Sequence, residues 1–147
     1  MKFTLLIEPE AEEQVIATVR APSAFSAQLE ALVQTYNGTD RIAAFQEDEM
    51  HLLPFSEIEC ITVIDGKIYA IDAHATRYRL KQRLYELEQI LPASFIRINK
   101  STLANETKLS RFCATFSGGV DAVFQCGYRE YVSRRCFAQI KRRFETR

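Results

Sequence analysis

The chain has 147 residues and a formal net charge of zero, with 47% hydrophobic and 26% charged residues. This length suits one domain, or a domain with a small appended module, and the composition is that of a folded protein rather than a disordered one. No apolar run approaches the ~18–20 residues that cross a bilayer, and the start of the chain lacks a secretory-signal pattern. We therefore expect a cytoplasmic protein.

The zero net charge conceals a division along the chain. Residues 1–66 carry three Lys and Arg against twelve Asp and Glu, whereas residues 67–147 carry sixteen against seven. Such an asymmetry indicates a polyanionic partner for the basic half. The alternative is that the two halves simply attract each other.

The first third of the chain, residues 1–55, predicts a small acidic α+β module. Lys2–Ile7 alternates and Gln14–Arg20 is similarly apolar, so both predict strands. Two further short strands are expected over residues 41–46 and 50–55.

One helix is expected within this module. Apolar residues from Phe25 to Tyr36 recur at the spacing of one helix face. Pro22 and Ser23 are typical start signals, and Asn37-Gly38 is a typical stop.

Residues 56–147 predict a second, mainly β domain. Asp65-Gly66 lies between two apolar runs and predicts a tight hairpin, because Asp-Gly readily adopts positive φ angles. A middle helix is expected over residues 80–91, where leucines recur on one face, and Pro92 ends it. Strands joined by glycine turns follow, and a closing helix begins after Ser133, which is a good N-cap. The whole chain therefore predicts an α+β fold.

Little in the sequence favours an enzyme. The short catalytic and phosphate-binding motifs are absent, and Asp72 with His74 is the one candidate acid–base pair. Four scattered cysteines without metal-ligand spacing predict reduced thiols. Ser117-Gly118-Gly119 joins two predicted strands, so a β-turn is favoured over a phosphate-binding loop. We expect no catalysis, no metal and no cofactor.

The basic positions are more informative. Arg134 and Arg135 fall in the first turn of the closing helix, where the helix dipole disfavours each cation by roughly 0.3–1 kcal/mol. An anion docked at this helix end would offset that cost; the alternative is an exposed, solvated pair. Lys67 leaves the predicted hairpin turn, and Lys100 follows the predicted strand Phe95–Asn99. Cations at such places can enter a groove of DNA.

Two stretches resemble the LytTR-type DNA-binding domain of bacterial transcription regulators. "SFIRINKSTLAN" (residues 94–105) is similar to the family's strand–loop pattern, and "YVSRRCFAQIKRRF" (residues 131–144) is similar to its closing Val-Ser-Arg-Arg and helix. Cys136 stands where an aromatic residue is usual, with Phe137 next to it. The resemblance implies an elongated, mainly β LytTR-like domain over residues 56–147. It also implies a short stand-alone regulator that lacks the receiver domain of response regulators.

The resemblance further implies that three loops insert side chains into successive major grooves of double-stranded DNA. Of Arg134 and Arg135, alignment with the family makes Arg135 the expected base reader. Lys and Arg can donate to guanine O6 and N7, and Asn can pair with adenine. Ser101, Lys108 and Arg129 are expected at phosphates, where contacts set register without reading sequence. The full expected DNA-binding set is Lys67, Asn99, Lys100, Ser101, Lys108, Arg129, Ser133, Arg134 and Arg135.

Partners other than DNA follow from the same resemblance. We expect a homodimer at least on DNA, since two domains on half-sites one helical turn apart are a common arrangement. Stand-alone relatives are often encoded beside a small membrane protein that restrains them, so the acidic module is expected to dimerise or to meet such an inhibitor. The alternative function is a protein-interaction or RNA-binding α+β module with a basic face. The loops carry few aromatic residues for stacking on RNA bases. An enzyme using Asp72 and His74 ranks last.

Overall fold

The computed structural model describes residues 1–35 and 40–145 and divides the chain into two compact units, Met1–Thr39 and Asp40–Arg147. Tyr36, the last residue of the expected helix face, and the expected stop at Asn37-Gly38 lie outside the described residues. None of the helices described in these ranges is long and apolar enough to cross a membrane.

The first unit contains helix α1 (Ala24–Thr35), as predicted. Ser23 and Ser26 close its start reciprocally: the Ser26 N–H donates to Ser23 Oγ at 3.2 Å, and the Ser23 N–H donates to Ser26 Oγ at 2.9 Å. The prediction of strands over Lys2–Ile7 and Gln14–Arg20 is wrong: the structure assigns neither run to a strand. Neither run has a neighbouring strand in the structure, and a strand exists only where its N–H and C=O groups find a partner.

The second unit is built from two antiparallel sheets. The larger has the order β2-β1-β5-β4-β3-β7-β6 and the smaller the order β10-β9-β8. The larger sheet consists of β1 (Arg41–Gln46), β2 (Glu49–Pro54), β3 (Ile58–Ile64), β4 (Lys67–Asp72), β5 (Arg77–Leu80), β6 (Phe95–Asn99) and β7 (Thr102–Asn105). The smaller sheet and the remaining helices are β8 (Leu109–Ala114), β9 (Val120–Phe124), β10 (Arg129–Val132), α2 (Leu84–Ile90) and α3 (Arg134–Glu145).

The larger sheet is covered on both faces, and β3 runs through its centre with Ile58, Cys60 and Ile61 fully buried. One face packs on α2 through a core that includes Ile61, Leu80 and Leu87. The other face packs on the smaller sheet and α3 through a core that includes Cys60 and Ile140. This arrangement confirms the expected α+β class and fixes α3 to the sheet.

The hairpin β1–β2 is paired into the larger sheet, because the β1 residue Phe45 lies opposite Arg79 of β5. Ile42 and Leu53 are 5% exposed and pack in the same core as Leu87. The sequence predicts this hairpin as part of the N-terminal module of residues 1–55. It packs instead with the second unit, because its buried side chains complete the core on that face.

Two strands and one helix length also differ from expectation. β5 and β7 were not predicted, and the middle helix starts at Leu84 rather than Leu80. Leu80 ends β5, yet it packs in the same core as Leu84 and Leu87. A leucine spacing that fits one helix face therefore arises here from a strand followed by a helix.

Leu87→Ala is expected to lower the free energy of unfolding by about 2–5 kcal/mol, because the fully buried side chain leaves a cavity between α2 and the sheet. Urea denaturation measures the change. Tyr85→Ala on the same helix is the matched control, since Tyr85 is 58% exposed and its loss is expected to cost much less. Equal losses in both variants would contradict this packing.

Candidate nucleic-acid interface

Three loops meet at one end of the strands. The Val63 N–H of β3 donates to the Ser101 carbonyl oxygen at 3.1 Å, which joins the β3–β4 hairpin end to the β6–β7 turn. The Ser133 N–H donates to the Ile98 carbonyl oxygen at 2.9 Å, which joins the start of α3 to the end of β6. We call this end the loop edge and define it as residues 64–67, 99–101 and 133–135.

The β3–β4 turn has the conformation that its sequence predicts. Asp65 and Gly66 have φ angles of 52° and 75°, and two positive φ angles in succession are characteristic of the tight hairpin turn that matches strand twist. Ile64 pairs with Lys67 directly below the turn, and Lys67 is exposed. The hairpin prediction is confirmed, and it brings a cation to the loop edge.

The start of α3 is capped by Ser133, as predicted. Its Oγ accepts from the Cys136 N–H at 3.2 Å, and its carbonyl oxygen accepts from the Phe137 N–H at 2.8 Å. Arg134 and Arg135 are exposed, and no acidic residue lies in this first turn. Within the described part of the chain neither guanidinium has a hydrogen-bond or ion-pair partner. Both remain available to an external anion.

Packing beneath this helix start accounts for the unusual Cys136. Cys136 and Phe137 both pack against the buried core shared by the two sheets. The Phe137 ring meets Phe112 of β8 at a centroid distance of 5.6 Å in an edge-to-face arrangement. The aromatic contribution to this packing therefore comes from the next residue along the chain.

Asn99 lies beneath the surface of the loop edge. It is 7% exposed, its Nδ2 donates to the Tyr131 carbonyl oxygen at 2.6 Å, and its Oδ1 accepts from the Ser101 N–H at 2.7 Å. The amide thus joins β6 to β10 and closes the turn that presents Lys100. Both of its polar atoms are engaged within the protein.

Arg97 also shapes this turn. Its guanidinium pairs with the Glu88 carboxylate of α2, and its Nη1 donates to the Lys100 carbonyl oxygen at 2.7 Å. The backbone of Lys100 is therefore held from below, while its side chain is exposed. The cation of the "FIRI" strand supports the loop, and the cation of the turn projects from it.

Lys108 and Arg129 are not brought to the loop edge. The Lys108 carbonyl oxygen accepts from the Gln125 N–H at 3.0 Å, which places Lys108 at the start of β8 and the opposite end of the strands. Arg129 opens β10 and its guanidinium lies 3.5 Å from the Asp121 carboxylate. Of the nine expected residues, the structure gathers the other seven at the loop edge.

Two arginines were missed by the sequence analysis. Arg79 lies opposite Tyr69 and Arg77 lies opposite Ile71, and opposed residues of an antiparallel pair share a face. Ile71 packs in the core beneath the smaller sheet and α3, so both arginines lie on the face of the larger sheet that carries α3. Lys67, four residues before Ile71 on β4, lies on this face too. We call Lys67, Arg77 and Arg79 the basic strip. The alternation in "RYRL" was the available signal.

Hydrogen bonds between buried and half-buried polar groups connect the two sheets. The Glu59 carboxylate, 2% exposed, accepts from the Cys126 N–H at 2.8 Å, and Glu130 Oε2 accepts from the hydroxyls of Thr62 and Tyr128 at 3.1 and 3.0 Å. Burial, followed by the nearby Glu130 carboxylate, raises the pKa of Tyr128 well above its usual range. The Tyr128 phenol therefore stays a neutral hydrogen-bond donor. We call these hydrogen bonds of Glu59 and Glu130 the polar seam.

The candidate acid–base pair has a structural use. The Asp72 Oδ1 accepts from the N–H groups of His74 and Thr76, both at 2.9 Å, and Oδ2 accepts from the Tyr78 hydroxyl at 3.3 Å. The carboxylate shapes the β4–β5 turn, in which Ala75 has a φ of 59°. It faces its own backbone rather than the His74 ring.

Comparison with known proteins agrees with this architecture. The model of the LytTr DNA-binding domain family matches residues 48–145. Proteins named as uncharacterized HTH-type transcriptional regulators of Staphylococcus aureus strains MSSA476 and NCTC 8325 are 29% identical over 146 residues and are covered to 97%, as is this chain. A LytTr DNA-binding domain from Bacillus cereus superposes with a TM-score of 0.64 at 23% identity, covering 71% of this chain and 96% of that domain. This last similarity is one of fold.

Asn99→Ala is expected to destabilise the protein by about 1–3 kcal/mol, because loss of this buried amide leaves the Tyr131 carbonyl and the Ser101 N–H without their partner. Urea denaturation measures the loss. Lys100→Ala, at the exposed neighbouring position, is the control and is expected to change stability by less than about 0.5 kcal/mol. If Asn99→Ala were equally neutral, its amide would not be the support of this loop.

Proposed function

The chain belongs to the LytTr DNA-binding domain family, and from this membership we propose that it is a bacterial transcription regulator that reads double-stranded DNA through its loop edge. The observation that carries the proposal is the convergence of exposed cations at that edge. Lys67, Lys100, Arg134 and Arg135 come from three separate parts of the chain, and inside the described ranges none of their side chains has a hydrogen-bond or ion-pair partner. Cations without internal partners are suited to an external polyanion.

The loops differ in what they offer a base. Arg135 has a planar guanidinium that can donate twice, to guanine O6 and N7, whereas Lys100 offers a single ammonium group. Both project from elements whose backbones are held by hydrogen bonds, so little backbone freedom is lost on binding. We propose Arg135 as the principal base reader and Lys100 and Lys67 as further groove contacts.

The supporting residues of the edge have a different role in this proposal. Ser101 and Ser133 lie beside the readers, where their hydroxyl groups suit phosphate oxygens. Arg134 and the first N–H groups of α3 favour a phosphate at the helix start, since the helix dipole is positive there. Asn99 acts by positioning Lys100.

The proposal also covers where the protein acts, its oligomeric state on DNA and its inhibitor. We propose that the protein acts in the cytoplasm without catalysis or cofactor. It binds DNA as a homodimer, with two loop edges on half-sites one helical turn apart. A small membrane protein encoded nearby restrains it through the N-terminal unit; continued restraint of a protein lacking residues 1–39 would contradict this last point.

Selection of bound sequences from a random duplex pool, at two salt concentrations, tests the function. Enrichment of a short motif, repeated at one-turn spacing, is the expected result. Binding without selection that disappears with added salt would leave only a basic surface and overturn the proposal. Preference for single-stranded RNA over any duplex would support the RNA-binding alternative instead.

Arg135→Ala is expected to weaken binding to the selected site by about 1–3 kcal/mol and to relax the preference at one base position, because a bidentate contact to guanine is lost. Repeating the selection with the variant measures both effects. Arg41→Ala, which removes the same charge from the start of β1, should leave the motif and the affinity nearly unchanged. A uniform loss across all sequences would remove Arg135 from base readout.

Arg79→Ala is expected to weaken binding to every sequence alike and to reduce the slope of log affinity against log salt by about one. The reason is its exposed place in the basic strip, on the face that carries α3. Lys108→Ala, at the opposite end of the strands, is measured beside it. A uniform loss with Lys108→Ala would support the expected phosphate contact there, whereas no loss would confine the contacts to the loop edge and the basic strip.

A further inference from the structure

The N-terminal unit exposes much apolar surface. Every residue from 1 to 25 is exposed, and Phe3 and Ile7 are 86% and 82% exposed. Ten large apolar side chains between residues 3 and 33 are exposed by 42% or more: Phe3, Leu5, Leu6, Ile7, Val15, Ile16, Val19, Phe25, Leu32 and Val33. At roughly 60–120 Å² for each side chain, they offer about 600–1,200 Å², which matches the ~800 Å² that each partner buries in a standard interface.

The unit also holds two strand-like runs without a strand partner. In Lys2–Glu8, Phe3, Leu5 and Ile7 alternate on one side, and Pro9 follows, which suits the end of a strand. The second run, Glu13–Arg20, is similarly apolar, but the structure pairs neither run with any described strand. An apolar run without a strand partner can pair with a strand of another chain.

The charges at the ends of the two runs indicate which strand can pair with the first run. Lys2 and Glu8 bracket the first run and Glu13 and Arg20 bracket the second, while both interiors are uncharged. Antiparallel pairing of the first run with the second sets Lys2 opposite Arg20 in one register, and Glu8 opposite Glu13 in the register one residue away. Like charges opposite each other are destabilising in a sheet, so both of these hairpin registers are disfavoured.

A second copy of the first run has the opposite pattern. Antiparallel pairing about a two-fold axis at Leu5 sets Lys2 of each copy opposite Glu8 of the other. The same register sets Phe3 opposite Ile7, an aromatic and β-branched pair of the kind that stabilises sheets. Every favourable contact then occurs twice, as in any isologous interface.

We propose that the N-terminal unit is a dimerisation element, in which Lys2–Glu8 of two copies of this chain pair antiparallel and bury the exposed apolar side chains. This inference goes beyond DNA binding and does not depend on it. It supplies the homodimer from a surface remote in sequence from the loop edge. Two linked loop edges then bind adjacent half-sites with a raised effective concentration.

Sedimentation equilibrium of the full chain without DNA tests the inference. The unaltered protein is expected to dimerise. Lys2→Glu and Glu8→Lys should each weaken the dimer roughly 2–30-fold, because each variant sets like charges opposite each other at two symmetric places. The double variant Lys2→Glu/Glu8→Lys should restore the original affinity, because the pairs are again of opposite sign.

Glu10→Lys is the matched control, since it makes the same charge change in the acidic turn outside the paired run. It should leave the dimer affinity within about twofold of the original. Circular dichroism verifies that each variant is folded. A monomer at all concentrations, a tighter dimer with Lys2→Glu, or no recovery in the double variant would each overturn the inference. Dimerisation of Arg135→Ala separates this outcome from any failure of DNA binding.

Discussion

The junction between β6 and the β10–α3 segment is the constraint on which the candidate interface depends. Two short contacts make it: the Ser133 N–H to the Ile98 carbonyl oxygen and the Asn99 amide to the Tyr131 carbonyl oxygen. They are made at the boundary between two separate sheets, where no continuous ladder fixes position. Because the junction sets the start of α3 beside the β6–β7 turn, it decides that Arg134 and Arg135 share an edge with Lys100.

The junction is supported by the polar seam between the sheets. The buried Glu59 carboxylate accepts a hydrogen bond from the Cys126 N–H. The Glu130 carboxylate accepts hydrogen bonds from the hydroxyls of Thr62 and Tyr128. A buried carboxylate without donors would cost several kcal/mol, so these groups tolerate only an arrangement in which the donors are present. The seam therefore specifies how β10 lies over β3. The apolar core beneath it supplies stability but is less demanding about register.

The chain separates its charges in a way that suits two tasks. Among the cations described in the basic half, Lys67, Lys100, Arg134 and Arg135 lie at the loop edge. Others pair with carboxylates of the protein, as Arg97, Arg129 and Arg143 do. Four of the five acids of the first unit lie within residues 8–13, at the facing ends of its two apolar runs and between them. A net charge of zero thus combines one surface suited to a polyanion with one unit whose two apolar runs have uncharged interiors. Net charge alone describes neither surface.

Local signals were sufficient for several parts of the fold and site. Asp65-Gly66 predicted its hairpin and Ser133 its helix cap, since both act through the backbone of adjacent residues. The short strand β7 was missed because all four of its residues are buried, so it has no alternation. The hairpin β1–β2 was assigned to the N-terminal module because nothing in its own residues shows that Ile42 and Leu53 complete a core with Leu87.

The sequence by itself determined the α+β class, the family, the turns and the identity of the cations. The tertiary structure alone decided which cations share an edge. Asn99 looked like a base reader because an amide after a strand can reach outward, but its partners lie at Tyr131, 32 residues away. Lys108 was expected at a phosphate together with Ser101, yet strand direction carries it to the end of the strands opposite the loop edge. Hydrogen bonds between distant strands set these positions, and no local pattern encodes them.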